Sequence, residues 1–415
     1  MKIGNNAHLT YCTNIHKGET WPDTFKSMQD HCIAVKNALS PEQPFGIGLR
    51  LSNTASIELL QDDHLSKFKT WLDEHDMYVF TMNGFPYGSF HDETVKDKVH
   101  SPDWTTQERV DYTSRLFTIL AQLLPDDMEG GISTSPLSYR YWHTTNDALD
   151  LVKEKSTEHF VSVVEMLVKL NAATGKMMHL DIEPEPDGML ESSDEYIAYF
   201  KDYLLQSGAI RLSEILGCSA EQAREYMKKH VQLCYDVCHF AVNYERACDV
   251  IQKMADNELL IGKIQISAAL KCSAADNVLI ADQQACLRTF DEPTYLHQAV
   301  MRRADGGLTR FRDLGYGIAA MSSAEFRELR THFHVPLFTD HYHLLEATQN
   351  DIVEALQYWN ERPYTAHLEV ETYTWEVLPA ELQKDLSTSI ERELAWVRDQ
   401  LIYEKHHAKN ETPVL

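Results

Sequence analysis

The sequence lacks a long apolar run, a Cys-x-x-Cys pair and an excess of basic residues. No segment of its 415 residues approaches the ~20 consecutive apolar residues of a membrane-spanning helix, so no membrane span is expected. Residues 1–10 contain no apolar signal core, which argues against secretion. The eight cysteines are scattered without a Cys-x-x-Cys pair, so we expect no disulfide framework and predict a cytoplasmic location.

Basic residues are scarce relative to acidic ones. The chain has 38 Lys and Arg against 63 Asp and Glu, a formal net charge of −25. Binding to nucleic-acid phosphates needs a basic face, so no nucleic-acid partner is expected. Hydrophobic residues make up 43% of the chain and charged residues 24%, a balance that excludes wholesale disorder.

Short apolar runs alternate with helical patterns along the chain. The eight predicted strands are His8–Asn14, Phe45–Ser52, Met77–Asn83, Gly131–Ser135, Met177–Glu183, Val231–Asp236, Ile261–Ser267 and Ala366–Tyr373. Eight strand–helix units predict an α/β fold, a (β/α)8 TIM barrel. An open doubly wound sheet is the alternative, which the absence of a glycine-rich turn after the first strand disfavours.

Local signals predict several helix ends. Three pairs fit a capping box at a helix start: Thr105 with Glu108, Ser192 with Glu195, and Ser219 with Gln222. An apolar stripe with i, i+3, i+4 spacing predicts a helix that Gly175 caps, and its residues are Phe160, Val163, Val164, Leu167 and Leu170.

One stretch is far longer than an ordinary connection between a strand and a helix. We predict a single domain over residues 1–415, with an insertion at 272–349 between barrel strands seven and eight. The insertion is expected to hold a small meander of Tyr295–Arg303, Leu308–Leu314 and His332–Phe338. Alternatively, the last of these is itself a barrel strand. The polar tail, 405–415, is predicted to be flexible.

Polar residues recur on one face of at least five predicted strands. The sets are His179, Asp181 and Glu183; Gln232, Cys234 and Asp236; Lys263, Gln265 and Ser267; His367, Glu369 and Glu371; and Gly48, Arg50 and Ser52. Alternate strand residues face the barrel lumen. Buried unpaired charges are costly, so these groups must form internal ion pairs, bind a metal or meet a polar ligand.

Carboxylates and an imidazole concentrate where barrel strands end, the edge at which such barrels place their sites. Glu183 ends strand five, Asp236 ends strand six three residues before His239, and Glu371 ends strand eight. Oxygen ligands alone suit Mg²⁺ or Mn²⁺, whereas added histidine favours Mn²⁺, Fe²⁺, Co²⁺ or Zn²⁺. A divalent metal there can polarise a carbonyl–hydroxyl pair while a carboxylate moves a proton between adjacent carbons.

These residues resemble the metal site of the xylose-isomerase-like barrel superfamily, which contains sugar phosphate isomerases, epimerases and endonuclease IV-like phosphoesterases. The resemblance implies a metal held by Glu183, Asp236 and a strand-eight glutamate, for which Glu371 is preferred to Glu369. His239 completes the Asp-x-x-His motif. Strand seven departs from the pattern, because Gln265 stands where relatives often carry histidine. From the insertion, His334 or His297 can supply the missing imidazole.

A closer resemblance is to the EboE-like metabolite traffic proteins. It rests on the stretches Leu9–His16, Pro44–Ser52, Asn83–Gly88, Cys234–His239, His332–Phe338 and Glu369–Trp375. The resemblance implies a barrel encoded beside a UbiA-like prenyltransferase and a sugar-phosphate-cyclase-like enzyme, which are its expected partners. It also implies a role in making or moving a secondary metabolite.

Further polar and aromatic residues are predicted to bind a small-molecule metabolite. They are Asn14, His16, Arg50, Asn83, Tyr87, Lys263, His297, His332 and Trp375. Asparagine and arginine hydrogen-bond hydroxyl or carboxylate groups, and the aromatic rings offer a surface to a sugar face.

The sequence therefore predicts a metal-dependent isomerase or epimerase acting on a sugar-like or polyol metabolite. Glu183 and Glu371 are the predicted catalytic residues, and the predicted metal-ligand set is Glu183, Asp236, His239, Gln265, His334 and Glu371. One alternative is a metal-dependent hydrolase or phosphoesterase acting on a small ester. Another is a non-catalytic escort protein that binds a metabolite, which Gln265 favours.

Overall fold

Parallel β-strands alternate with helices through most of the chain. The computed structural model describes residues 1–4, 7–88, 95–375, 377–379, 383 and 385–407. The strands in these ranges are β1 Lys2–Ile3, β2 Ala7–Tyr11, β3 Phe45–Arg50, β4 Met77–Asn83, β5 Gly130–Thr134, β6 Met178–Ile182, β7 Val231–Asp236, β8 Ile261–Ile266, β9 Ala268–Ser273, β10 Ala299–Arg303, β11 Leu308–Phe311, β12 Phe326–Val335, β13 His341–Tyr342, β14 Leu345–Ala347 and β15 His367–Val370.

Helices connect most of these strands. The α-helices are α1 Trp21–Leu39, α2 Asn53–Leu59, α3 His64–Glu74, α4 Gln107–Leu123, α5 Asn146–Thr174, α6 Ser193–Tyr199, α7 Ala209–Leu216, α8 Ala220–His230, α9 Val237–Val242, α10 Ala247–Asp256, α11 Ile280–Leu287, α12 Leu314–Ala320, α13 Gln349–Glu361 and α14 Leu386–His407. A π-helical stretch, Phe200–Gly208, joins α6 to α7. Of the predicted tail 405–415, residues 405–407 end α14, and 408–415 lie outside the described residues.

Eight parallel strands form the barrel wall. They hydrogen-bond in the order β2-β15-β8-β7-β6-β5-β4-β3, and β1 adds to β2 in the antiparallel sense. At the seam, Cys12 forms a parallel bridge to Gly48. The Thr10 hydroxyl donates to the Gly46 carbonyl across the same seam at 2.7 Å. This ring of parallel strands connected by helices confirms the predicted (β/α)8 barrel, and every predicted strand overlaps an observed one.

The helix signals are borne out at most of the predicted ends. Ser192 and Ser219 accept hydrogen bonds from the backbone of residues 195 and 222, as their capping boxes predict. Gly175 ends α5 with a φ of 74°, a conformation that favours glycine. The Thr105 prediction is wrong: its hydroxyl instead donates to Asp103 at 2.6 Å, and α4 begins two residues later.

The long connection between β8 and β15 builds a second sheet. Six strands pair antiparallel in the order β11-β10-β12-β9-β14-β13. This sheet is larger than the predicted three-stranded meander, because β9 begins at Ala268, directly after the barrel strand β8. The alternative that residues 332–338 form a barrel strand is wrong, since β12 pairs antiparallel with β9 and β10.

An irregularity in this second sheet places two histidines at the barrel mouth. The pairing of β12 with β9 shifts between Thr331 and His334. Such irregularities re-aim side chains and are common beside active sites. His332 and His334 are buried on one side of the strand, while Phe333 packs on the other side against Phe290. The insertion therefore contributes two imidazoles to the carboxyl end of the barrel.

None of the helices in the described ranges is both long and apolar enough to cross a membrane.

Helix α14 contains a buried carboxyl group that connects the barrel to the insertion. Glu393 is 1% exposed, and its Oε1 accepts hydrogen bonds from the Thr372 hydroxyl at 2.8 Å and the Leu337 N–H at 3.1 Å. Burial raises the pKa of Glu393 to about 8. The folded protein therefore binds a proton here that the unfolded chain has released above a pKa of about 4.3.

We expect the Glu393 carboxyl to destabilise the fold as pH rises. Because its folded pKa exceeds the unfolded one, stability falls between about pH 4.3 and pH 8 and levels off above that, by a few kcal/mol. Glu393→Gln keeps the Oε1 acceptor and removes the titration. Its melting temperature should exceed that of the wild type at pH 8.5 and match it near pH 4.5. The exposed control Glu221→Gln should show the same dependence of melting temperature on pH as the wild type. The same dependence in Glu393→Gln would contradict this expectation.

Candidate functional site

A cavity opens at the carboxyl ends of the barrel strands, and the insertion forms one of its walls. Its lining residues are Asn14, Asn83, Phe85, Pro86, Val95, Lys96, Val99, His100, Glu183, Glu185, His239, Tyr295, Leu296, Gln298, His332, His334, Glu371 and Tyr373. The space available to the centres of water molecules is about 60 Å³. That is room for roughly four to six waters, since one needs about 10–15 Å³. This space suits a small ligand.

Three carboxylates converge at the base of this cavity. Glu183 follows β6, Asp236 ends β7 and Glu371 follows β15, and each contributes an oxygen within 4.8 Å of the others. All three side chains are buried. Burial raises the pKa of Glu183 and of Glu371 well above the usual value, and repulsion from neighbouring carboxylates adds to the effect. Together they form a strong site for a cation.

Neutral donors hold two of the carboxylates in place. The side-chain amides of Asn14 and Asn83 donate to Glu371 Oε1 at 2.6 and 2.8 Å. Asp236 Oδ1 accepts from the Ser267 hydroxyl at 2.7 Å and from the His239 N–H at 3.1 Å, because Asp236 is the N-cap of α9. These contacts orient the carboxylates without neutralising their charge.

Imidazoles from two different elements complete the cluster. Ring nitrogens of His239, on α9, and His334, on β12, lie within 4.8 Å of each other and of an Asp236 oxygen. His334 Nδ1 donates to the carbonyl of Glu371 at 2.6 Å, since a backbone carbonyl can only accept. Its Nε2 therefore keeps its lone pair for a ligand.

These residues fit a divalent metal. The buried atoms Asp236 Oδ2 and His334 Nε2 have no hydrogen-bond partner among the described residues. Buried polar atoms left without a partner are costly, and both are good ligands for a cation. With Glu183 and Glu371, they make a mixed oxygen and nitrogen donor set, of the kind that suits Mn²⁺, Fe²⁺, Co²⁺ or Zn²⁺.

A second polar layer lies deeper in the barrel. Lys263 Nζ contacts Glu369 Oε2 at 2.8 Å, and both side chains are fully buried. A methyl group at Gly48 would overlap this Glu369 carboxylate, so strand β3 leaves room for the pair. Lys263 faces the lumen, as its strand parity predicts, but it is not part of the cavity wall, where a substrate would meet it.

Gln265 also lies outside the cavity wall. Its Oε1 accepts from the Cys234 thiol at 2.8 Å, and its Nε2 has no hydrogen-bond partner within the described ranges. The imidazole of His334 instead extends into the metal cluster from the insertion. The structure therefore offers a histidine in the cluster despite the departure from the resembled pattern on strand seven.

Five other predicted binding residues lie away from the cavity wall, each held by local contacts. His16 meets the Tyr11 hydroxyl at 2.9 Å, and Arg50 pairs with Glu19 at 3.2 Å. Tyr87 packs edge-on against Tyr112, and Trp375 stacks on Phe338. His297 contacts Glu292 at 2.8 Å. Of the predicted binding residues, Asn14, Asn83 and His332 do line the cavity.

The structure adds site residues that the sequence pattern did not single out. Glu185, His100 and Gln298 line the cavity. Glu185 stands two residues after Glu183, on the same parity, so the sequence did contain a signal for it. Gln298 is the immediate neighbour of His297, and its side chain reaches the wall while that of His297 does not. His100 had no sequence signal.

No protein-family profile and no curated protein matches the sequence. Among solved structures, matches include a D-tagatose 3-epimerase-like protein, with 10% identity over 97% of this chain and 99% of that one and a TM-score of 0.48. A putative sugar phosphate isomerase/epimerase from Anabaena variabilis has 11% identity over 96% and 99% of the chains, with a TM-score of 0.48.

A third match is the IolI protein with a bound zinc atom, with 11% identity over 96% of this chain and 98% of that one and a TM-score of 0.42. Other matching structures are described as xylose-isomerase-like barrels. Identities near a tenth and TM-scores below 0.5 do not assign an activity, so the function has to follow from this chain's own side chains.

We expect the effects of Lys263 and Glu369 on stability to be strongly coupled, because removing one charge leaves the other buried and unpaired. Lys263→Met leaves an uncompensated carboxylate in the barrel and should cost about 3–5 kcal/mol in the free energy of unfolding. The double variant Lys263→Met with Glu369→Gln removes both charges and should recover a substantial part of that loss. Urea unfolding of the wild type, both single variants and the double variant measures the coupling. Equal losses in the single and double variants would show that the two side chains do not depend on each other.

Proposed function

We propose that this protein is a metal-dependent isomerase or epimerase acting on a small polyhydroxylated metabolite. The observation that carries the proposal is that Glu183, Asp236 and Glu371 lie close together, with the imidazole of His334 near Asp236, and that all but Asp236 line the cavity. When bound there, a divalent cation polarises an adjacent carbonyl and hydroxyl and so acidifies the intervening C–H bond.

The chain's own residues supply the proton transfer. Burial and neighbouring carboxylates raise the pKa values of Glu183 and Glu371 well above the usual range, so these groups hold a proton more readily than ordinary carboxylates. Glu183 receives few hydrogen bonds: its Oε2 has a 3.7 Å contact with the Cys234 thiol. An oxygen with so little hydrogen bonding is a suitable base for a C–H proton. Glu371 is the better anchored of the two, through Asn14 and Asn83.

The cavity wall supports a small hydroxylated substrate. Asn14 and Asn83 offer amide groups, and Tyr373 and Phe85 offer aromatic surface. Lys96 also lines the wall, where it pairs with Asp313 at 2.7 Å. Amide and aromatic groups together match the alternating polar edge and apolar face of a sugar or polyol.

The proposal extends to the biological setting. We propose that the substrate is an intermediate of secondary metabolism and that enzymes of the same biosynthetic cluster, a UbiA-like prenyltransferase and a sugar-phosphate-cyclase-like enzyme, supply or consume it. The support for this setting is the set of stretches shared with EboE-like proteins, among them Asn83–Gly88 and Glu369–Trp375.

Solvent-deuterium exchange tests the reaction across several classes of candidate substrate at once. Protein loaded with Mn²⁺ or Co²⁺ is incubated in D₂O with a panel of ketoses, aldoses and oxidised cyclic polyols. We expect deuterium at a carbon beside the carbonyl of one class of compound. Glu183→Gln should lower the exchange rate by at least about 100-fold, since it removes the base.

The control for this experiment is Glu221→Gln, a carboxylate on α8 whose side chain is 79% exposed. It should exchange deuterium at the wild-type rate. Phosphate or alcohol released from a panel of small esters, with no exchange on any sugar, would assign a hydrolase instead. Tight metabolite binding without exchange or hydrolysis, in the presence of metal, would assign an escort protein.

A further inference from the structure

Two histidines at the cavity wall face each other through ring nitrogens. His239 Nε2 and His332 Nε2 are 3.0 Å apart, and both residues are buried. His239 comes from α9 of the barrel and His332 from β12 of the insertion. A hydrogen bond between them requires that one of the two Nε2 atoms carries a proton, so the protonation of each ring decides what this contact is.

The tautomer of His239 follows from its other nitrogen. His239 Nδ1 lies 3.1 Å from the carbonyl oxygen of Pro184. A carbonyl only accepts, so Nδ1 carries the proton and Nε2 of the neutral ring carries a lone pair.

The tautomer of His332 follows by one further step. Gln298 Nε2 donates to the carbonyl of Pro186 at 2.9 Å, which fixes the orientation of the Gln298 amide. Its Oε1 therefore faces His332 Nδ1, at 2.9 Å, and accepts a hydrogen bond from the Nδ1–H group. His332 Nε2 consequently also carries a lone pair, and two lone pairs confront each other at 3.0 Å.

A carboxylate shares this location. Glu185 contributes an oxygen within 4.8 Å of ring nitrogens from His239 and His332. Glu185 is 5% exposed, and its Oε1 lies 2.9 Å from Nε2 of the buried His100. The Tyr373 hydroxyl approaches His332 Nε2 only to 3.5 Å.

A cation resolves the repulsion between these groups. Two imidazole nitrogens bound to one metal at about 2.0–2.1 Å each lie roughly 3 Å apart, as observed here. Metal-bound histidines also donate their other ring nitrogen to a carbonyl or carboxylate, as both rings do through Pro184 and Gln298. We propose that Glu185, His239 and His332 form a second divalent-cation site, adjacent to the one at Glu183, Asp236, His334 and Glu371, because His239 also lies within 4.8 Å of Asp236 and His334.

The two sites differ in the ions that they suit. Three carboxylates with one imidazole form the first, whereas two imidazoles with one carboxylate form the second. Nitrogen-rich sites favour Zn²⁺ or Co²⁺, and oxygen-rich sites accept Mn²⁺ or Mg²⁺. The second site goes beyond the proposed isomerase function, because it stands whichever reaction the first site supports.

Metal stoichiometry tests this proposal on the full-length chain. Metal-free protein is titrated with Zn²⁺ by calorimetry, and bound metal is counted by mass spectrometry after gel filtration. We expect two equivalents in the wild type. His332→Gln and Glu185→Gln should each weaken the binding of one equivalent by at least about 100-fold and leave the other in place. Asp236→Asn should remove the other equivalent.

Two further variants separate a ligand from a structural residue. Gln298→Leu removes the acceptor that fixes the His332 ring but no ligand, and should weaken the second ion by about 10–100-fold. His341→Gln, on the same insertion and 71% exposed, should bind two equivalents as the wild type does. Co²⁺ in the second site should give visible absorption bands that His332→Gln loses.

The second site would be overturned if the wild type bound one equivalent of metal and neither His332→Gln nor Glu185→Gln changed that binding. The two histidines would then be a proton-sharing pair. Melting curves of each variant establish that it is folded, and Glu185→Gln provides the test should His332→Gln unfold. Two equivalents without deuterium exchange would keep the second site and reject the proposed reaction. Deuterium exchange in a protein that binds a single equivalent of metal would keep the proposed reaction and reject the second site.

Discussion

Negative charge buried at the carboxyl end of the barrel is the constraint on which the rest of the site depends. Within the described residues, no lysine or arginine pairs with Glu183, Asp236 or Glu371. Deeper in the lumen, Lys263 forms an ion pair with Glu369 at 2.8 Å. The barrel therefore neutralises its lower layer internally and leaves the upper layer for a cation or protons, because isolated carboxylates in a low dielectric are too costly to remain ionised.

The insertion adds two imidazoles to this acidic end of the barrel, beside that of His239 on α9. Barrel strands alone supply oxygen ligands, from Glu183, Asp236 and Glu371. His332 and His334 enter from the antiparallel sheet, at the point where its pairing shifts. Hydrogen bonds then bind the insertion to the barrel: the His334 ring donates to the Glu371 carbonyl, and the Thr374 hydroxyl donates to the His334 carbonyl. The same contacts thus build the wall of the cavity and the ligand set.

Hydrogen bonds to backbone carbonyls set the chemistry of the histidines. The Pro184 carbonyl accepts a hydrogen bond from Nδ1 of His239, and the Glu371 carbonyl accepts one from Nδ1 of His334. This leaves the Nε2 nitrogens as lone-pair donors in a cavity already lined with carboxylates. The same arrangement serves isomerisation, hydrolysis or binding, and the substrate that fits the small cavity decides among them.

Alternation along the strands was enough to predict the barrel, its eight strands and the inward carboxylates of Glu183 and Asp236, because it fixes which side chains share a face. The preference for Glu371 over Glu369 rested on the family resemblance. Which polar residues meet a ligand was decided only by tertiary structure. Lys263 and Gln265 have the correct parity but do not line the cavity. How deep a side chain lies in a barrel depends on the stagger between neighbouring strands, and the sequence of one strand does not show that stagger. His100, His332 and Gln298 come from long connections, whose paths depend on contacts distant in sequence. The strand pattern thus determined the acidic end of the barrel, and the folded insertion brought His332 and His334 to it beside His239 of the barrel.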